Sequence, residues 1–215
     1  MAAQLNPANP YNLCNFNPAA DCTHCPVNGK VFCHFKPRDA VRFIALFFGA
    51  FLPSAYGFVH SGNWGLIVFW FAVFFVFLQV PENLILCSHC PYYAQGERRT
   101  LLCHANAGLL KLWPFNPAPM ARWEQAGFLL GVGLALGGPV ALNFWLGEPA
   151  AALLGLAGGI GWALVMRRYV CSECPNFSCP LNTVPREIVD AYLLRNRVFA
   201  EAWDRAETPP ADPAD

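Results

Sequence analysis

The sequence predicts an all-α membrane protein whose four transmembrane helices form two hairpins. Its 215 residues are 55% hydrophobic and only 13% charged, which is too apolar for an ordinary soluble domain. The apolar residues gather in four blocks, and each block is close to the roughly 17 to 25 residues that a spanning helix needs. No polar stripe at helical spacing runs through them, as it would in core helices of a soluble protein. The blocks are 43–59, 64–80 with a possible extension to 86, 126–146 and 150–165.

The positive charges predict the orientation of these helices. All fourteen Lys and Arg lie in the N-terminal, middle and C-terminal polar segments, and none lies in the short links at 60–63 and 147–149. Basic residues accumulate on the cytoplasmic side of a membrane. We therefore expect a multi-pass protein of a bacterial-type inner membrane, with both termini and the middle segment in the cytoplasm. The first forty residues also lack the basic and then apolar pattern of a secretory signal.

Five regions follow from this topology. The C-terminal region carries a cysteine motif, an amphipathic helix from after Pro185 to about Ala206, which could cover the cysteine motifs, and a disordered tail. The order of cysteine motif and hairpin recurs in the two halves, which indicates either a parallel repeat or a chance similarity between apolar spans. The regions are an N-terminal Cys-rich segment (1–39), the first hairpin (40–86), a Cys/His segment with an interfacial stretch (87–124), the second hairpin (125–166) and the C-terminal region (167–215).

Ten cysteines lie outside the apolar blocks and form an irregular Cys-rich cap on the predicted cytoplasmic side. Three Cys-x-x-Cys-Pro motifs begin at Cys22, Cys87 and Cys171. Cytoplasmic thiols are kept reduced, so clustered spacing there favours metal ligation or thiol exchange over structural disulfides. A Cys-x-x-Cys turn places two thiolates on one side, where both can bind one metal or cluster, and a further Cys or His completes the site.

The candidate metal ligands fall into three groups, one for each polar segment. The first group has four thiolates. The second has three, with His104 or His89 as the fourth ligand and His104 favoured, and the third lacks a fourth ligand in its own segment. The groups are Cys14, Cys22, Cys25 and Cys33; Cys87, Cys90, Cys103 and His104; and Cys171, Cys174 and Cys179.

The ligand types favour iron–sulfur clusters, with zinc as the alternative. Iron–sulfur clusters prefer all-thiolate sets, and the cysteine run of bacterial ferredoxins ends in Cys-Pro, as each motif does here. Structural zinc accepts the mixture of thiolates and imidazole that the second group offers. No catalytic residue is indicated.

Other classes of function and partner are less supported. No Asp, Glu, Lys or Arg lies in the middle of an apolar block, which argues against a transporter or ion channel. His60 stands alone at the outer end of the first block, so haem ligation has no support. Glu82, Asn83 and Lys111, near the inner leaflet, are candidate contacts for a quinone or a lipid headgroup, and no nucleic-acid partner is expected.

Four spans with cytoplasmic Cys-Pro motifs at Cys87, Cys90, Pro91, Cys171, Cys174 and Pro175 resemble membrane-bound ferredoxin-type subunits. An example is the membrane component of periplasmic nitrate reductase systems. That family has three residues between its paired cysteines, where this chain has two, and it carries a two-cluster ferredoxin module that this chain lacks. The resemblance implies electron transfer between the quinone pool and reductases or maturation systems.

The favoured hypothesis is an integral membrane iron–sulfur electron carrier or accessory subunit, rather than a stand-alone enzyme. A redox or membrane partner protein would dock on its cytoplasmic cap. One alternative is a zinc-stabilised membrane scaffold or metal-handling assembly factor. The other is a thiol oxidoreductase that uses a Cys-x-x-Cys pair, which would require one cysteine with a lowered pKa.

Overall fold

A computed structural model describes residues 6–207, and this part of the chain is helical. Within it no strand forms, and only an isolated bridge pairs Thr100 with Leu110. A π-helical turn, Leu78–Glu82, joins the second and third helices into one continuous span. The helices are α1 (Pro37–His60), α2 (Gly65–Phe77), α3 (Asn83–Ile85), α4 (Arg122–Trp145), α5 (Pro149–Tyr169), α6 (Arg186–Arg195) and α7 (Arg197–Glu207).

Four helical spans are long and apolar enough to cross a membrane, as the sequence predicts. Their mean hydropathy is 1.6 to 1.9, and no more than 22% of any apolar window is buried inside the protein. So much exposed apolar surface is consistent with a multi-pass membrane protein. The first and fourth spans extend past the predicted blocks at both ends, and the third extends past its block at the N-terminal end. The spans are Pro37–His60, Gly65–Ile85, Arg122–Trp145 and Pro149–Tyr169.

Small residues bring α1 and α5 into close contact. A side chain on Gly158 would place its Cβ 2.9 Å from the carbonyl oxygen of Ala50, and glycine at 155 makes similar room for Ser54. Asn143 of α4 donates a hydrogen bond from Nδ2 to the carbonyl oxygen of Ser54, at 3.2 Å. Close backbone approach is what drives association where lipid offers no hydrophobic gain. The first and last spans are therefore neighbours, although they are distant in sequence.

The second span packs on α4 through aromatic rings. The ring of Trp70 lies on Gly138 and the ring of Phe77 lies on Gly131, where any side chain would overlap the ring. Trp70 also donates from Nε1 to the carbonyl oxygen of Ala135, at 3.2 Å. The glycines of α4 thus form a surface on which bulky rings of α2 fit.

The predicted C-terminal amphipathic helix is two helices, α6 and α7, because the chain breaks at Asn196. Asn196 is only 1% exposed and donates from Nδ2 to the carbonyl oxygen of Tyr192, at 2.9 Å. Tyr192 and Phe199 pack with Leu13 of the N-terminal segment in one apolar cluster. The two helices therefore cover the N-terminal cysteines. The predicted disordered tail, 208–215, lies outside the described residues.

The short links at 60–63 and 147–149, at the end of the bundle away from the cysteines, are joined by a contact between His60 and Glu148. His60 Nδ1 lies 2.8 Å from Glu148 Oε1, and the His60 side chain is 62% exposed. Exposed pairs of this kind contribute less than about 1 kcal/mol. We expect His60→Ala to change the unfolding temperature only slightly and to leave the metal content unchanged, as measured by thermal unfolding and elemental analysis in detergent. Loss of metal from this variant would contradict a metal site at the cysteine end.

Candidate functional site

The three cysteine-bearing segments, 6–36, 86–121 and 170–185, meet where α1 and α4 begin and α3 and α5 end. Backbone hydrogen bonds join the first segment to the other two, from Phe32 N to Glu173 O at 2.8 Å and from Gly96 N to Ala8 O at 3.3 Å. Asn176 of the third segment donates from Nδ2 to Leu86 O of the second, at 2.9 Å. Because all three segments touch, thiols from different segments can share one site.

Four thiols of the first segment surround a single pocket, and we call them set A. His34 and Arg195 also line this pocket. Burial, together with the neighbouring thiols of the set, raises the pKa of Cys33 to about 12. The structure thus brings together the first predicted group of ligands. Set A consists of Cys14, Cys22, Cys25 and Cys33.

Hydrogen bonds between Asn196 and Cys14 join set A to the C-terminal helices. It accepts a hydrogen bond at Oδ1 from Cys14 N, at 2.9 Å, and donates from Nδ2 to Cys14 Sγ, at 3.2 Å. Burial raises the pKa of Cys14, whereas this amide hydrogen bond and the charge of Arg195 oppose the rise. An N–H group that points at a sulfur stabilises the thiolate form, which is the form that binds metal.

Four thiols from two segments influence one another's pKa, and we call them set B. Burial raises the pKa of Cys90 well above its usual value, and the thiols of Cys103 and Cys174 raise it further. Burial also raises the pKa of Cys87, and the thiols of Cys103 and Cys174 are among the groups that add to this rise. Cys174 comes from the third segment, beyond the second helical hairpin. Set B consists of Cys87, Cys90, Cys103 and Cys174.

Asn106 donates a hydrogen bond to a sulfur of set B, as Asn196 does to a sulfur of set A. Its Nδ2 donates to Cys87 Sγ at 3.2 Å and to Glu82 Oε1 at 2.7 Å. Asn106 is 7% exposed. The sequence reasoning missed both asparagines. The sequence could have indicated a helix break at Asn196, since asparagine is unfavourable in the middle of a helix.

Two further cysteines lie beside set B. Burial raises the pKa of Cys179 to about 12, and the Cys171 thiol is among the neighbours that contribute to this rise. Cys174 also has Cys179 as a neighbour, so the third predicted group adjoins the second. Ligation by Cys171 and Cys179 stays a prediction.

The two histidines considered for the second group have different surroundings. His89 is 3% exposed, its Nδ1 lies 2.6 Å from Ala118 O, and its Nε2 lies 3.3 Å from Glu124 Oε1. Both ring nitrogens are therefore engaged, and His89 anchors its motif to the start of α4. His104 is buried with an unpartnered Nδ1, and burial lowers its pKa to about 4, so it is neutral at pH 7. Ligation by His104 stays a prediction, because set B already holds four thiols.

Polar residues of the π-helical turn support the second segment. Gln79 and Asn83 both donate to Leu110 O, at 2.9 and 2.7 Å, and Tyr93 donates from its hydroxyl to Asn83 Oδ1 at 2.8 Å. Glu82 and Asn83, the candidate quinone contacts, are 6% and 0% exposed. Lys111 lies with Nζ 5.7 Å from the centre of the Tyr93 ring. These side chains have partners inside the protein.

In the described part of the chain, no three side chains of His, Cys, Asp or Glu converge on the coordination sphere of a single metal ion. Comparisons with protein-family models, with curated proteins and with solved structures found no match. The resemblance to ferredoxin-type membrane subunits therefore rests on the order of spans and Cys-Pro motifs alone. Function has to be argued from the thiol sets themselves.

Proposed function

We propose that this protein is an integral membrane iron–sulfur electron carrier or accessory subunit. The observation that carries the proposal is that four cysteines line one pocket next to the apolar bundle, while four others influence one another's pKa. Burial raises the pKa of six of these thiols, and a bound metal centre would favour their thiolate forms. A thiol exchange enzyme would instead need a cysteine with a lowered pKa, whereas the resolved shifts are upward.

Two features support iron–sulfur clusters over zinc. Each set is all-thiolate without recourse to a histidine. Each set receives an amide N–H on one sulfur, from Asn196 or Asn106, and such hydrogen bonds help to set cluster potentials.

Set A and set B would occupy different depths on the cytoplasmic side, where the Lys and Arg residues place the polar segments. Cys22 of set A is the one exposed cysteine of the ten. Set B is joined through Asn106 to Glu82, at the end of the second span. A soluble redox partner would therefore dock near set A, while set B faces the membrane. Lipid surrounds the four spans.

Anaerobic purification of the full chain in mild detergent tests this function. We expect iron and acid-labile sulfide, about two or four irons for each four-thiol set, and a visible band that dithionite bleaches. EPR spectra before and after reduction identify the cluster type. Zinc with a featureless spectrum would overturn the proposal in favour of a zinc-stabilised scaffold. Absence of metal together with a titratable dithiol would overturn it in favour of thiol exchange.

A further inference from the structure

We propose that residues 98–113, which we call the 98–113 loop, bind an anionic phospholipid at the end of the second span. Arg98 and Arg99 would contact the headgroup phosphate, while Leu110 and Leu112 lie against the acyl chains. The inference goes beyond the iron–sulfur proposal and does not depend on it, because no cysteine takes part in the contact.

Backbone hydrogen bonds bring the two ends of the 98–113 loop together. Thr100 and Leu110 form an antiparallel bridge. Next to this bridge, Lys111 N donates a hydrogen bond to Arg99 O at 2.8 Å. The cations near the start of the loop therefore lie beside the leucines near its end, so that charged and apolar side chains belong to one small unit.

Side-chain amides hold this unit against the second span. Leu110 O accepts hydrogen bonds from Gln79 Nε2 and Asn83 Nδ2, at 2.9 and 2.7 Å, and Leu110 N donates to Gln79 Oε1 at 3.1 Å. At a helical rise of about 1.5 Å per residue, Gln79 lies about 9 Å before the end of the span at Ile85. Leu110 is therefore held at the depth of residues that belong to the membrane span.

The apolar side of the 98–113 loop is uncovered at this depth. Leu110 and Leu112 are 50% and 47% exposed, and alternation along an extended chain places them on the same side. Val80 and Leu84 of the second span are exposed as well. Trp113 follows directly, and tryptophan is enriched where a membrane meets water. Acyl chains that surround the span would therefore also cover these leucines.

Arg98 and Arg99 are exposed cations without an acidic partner. Among the described residues no ion pair includes either of them, and the adjacent acid, Glu97, makes none. Lys111 adds a third positive charge, and its Nζ donates to Gln95 O. Burial and the charge of Arg98 lower the pKa of Lys111 to about 8. An anion beside Arg98 would relieve the repulsion between these cations.

A phospholipid satisfies both parts of this surface at once. Its acyl chains cover apolar side chains, and guanidinium groups bind phosphate oxygens through two parallel hydrogen bonds. A soluble phosphate would leave the leucines uncovered. The Lys and Arg residues predict that this segment faces the cytoplasm, where the membrane leaflet carries anionic lipids that attract cations close to its surface. The positive charge of the loop thus favours an anionic over a zwitterionic headgroup.

Native mass spectrometry of the full chain in mild detergent tests the headgroup contact. We expect phosphatidylglycerol to bind more tightly than phosphatidylcholine with the same acyl chains. Arg98→Gln combined with Arg99→Gln should weaken phosphatidylglycerol binding roughly 30-fold, since each cation near a membrane surface contributes about a factor of five. The matched control, Arg197→Gln with Arg205→Gln, removes two exposed cations from α7 and should have no effect. Equal binding of the two lipids, or equal losses in the two double variants, would overturn the proposal.

Leu112→Asn tests the acyl-chain contact, with Leu194→Asn as its matched control. Leu194 is 86% exposed on α6, outside the 98–113 loop. We expect phosphatidylglycerol binding to weaken several-fold in Leu112→Asn and to stay native in Leu194→Asn. An excess of inorganic phosphate should not displace the lipid from the native chain. Displacement by phosphate, or native lipid affinity in Leu112→Asn, would identify a site for a soluble anion and overturn the assignment to a lipid.

Discussion

Cys174→Ser is expected to remove about half of the bound iron, because one of two four-thiol sets would lose a ligand. Cys174 lies in the third cysteine-bearing segment. The Cys103 thiol of the second segment nevertheless raises the pKa of Cys174, and the Cys174 thiol raises the pKa of Cys87 and Cys90. Serine keeps the size of the side chain but is a poor ligand for iron. Iron and sulfide analysis, with EPR of the remaining centre, measures the effect.

Cys171→Ser is the matched control for that prediction. Cys171 begins the same Cys-x-x-Cys motif, but it is not among the neighbours that raise the pKa of Cys87 or Cys90. We expect this variant to retain both centres. Equal losses from the two variants would indicate that the third segment holds a centre of its own, as the grouping by sequence suggests. Native iron in Cys174→Ser together with a loss in His104→Ala would make His104 the fourth ligand of set B.

Gly57→Leu is expected to destabilise the helical bundle by about 3 kcal/mol or more, since overpacking a fitted contact forces backbone movement. A Cβ at position 57 would lie 2.0 Å from Asn143 Oδ1 and 2.7 Å from Ala151 Cβ. Asn143 cannot turn aside without loss, because its Nδ2 donates to Ser54 O and to Pro139 O. Thermal unfolding in detergent, followed by circular dichroism, measures the effect.

Gly49→Leu tests the same substitution on the same helix where space is open. A Cβ at position 49 meets nothing within 4 Å, and Gly49 is exposed on the lipid-facing side of α1. We expect this variant to unfold at close to the native temperature. Similar destabilisation by both substitutions would mean that the cost comes from leucine in α1 generally and not from the contact of α1 with α4 and α5.

The location of the spans was predictable because hydrophobicity and length are local properties of the chain. Each of the four predicted blocks coincides with an observed helical span to within one residue or lies inside it. The break at Asn196 was not predictable in the same way. It depends on a buried side chain that contacts Cys14, at the opposite end of the sequence. Likewise, the glycines of α4 could be recognised as packing residues, but the rings of Trp70 and Phe77 that lie on them could not.

For the candidate site, too, one part was predictable from the sequence and another part depended on contacts between distant segments. Cys14, Cys22, Cys25 and Cys33 were predicted as one group, and a single pocket gathers them, because all four come from one short segment. From the sequence, His104 was predicted as the fourth ligand of the second group, because a pattern within one segment indicates only ligands from that segment. Its thiols have Cys174 as their neighbour in the structure.

The sequence by itself determined the class of protein, the four spans and the types of possible ligand, because composition, apolar length and the chemistry of thiols require no knowledge of contacts. Only the tertiary structure decided that α1 packs against α5, that the Cys174 thiol influences the pKa of Cys90 in another segment, and that Tyr92 donates a hydrogen bond to Phe32 O. Each of these depends on which distant segments meet at one end of the bundle. Spacing along a chain carries no such information.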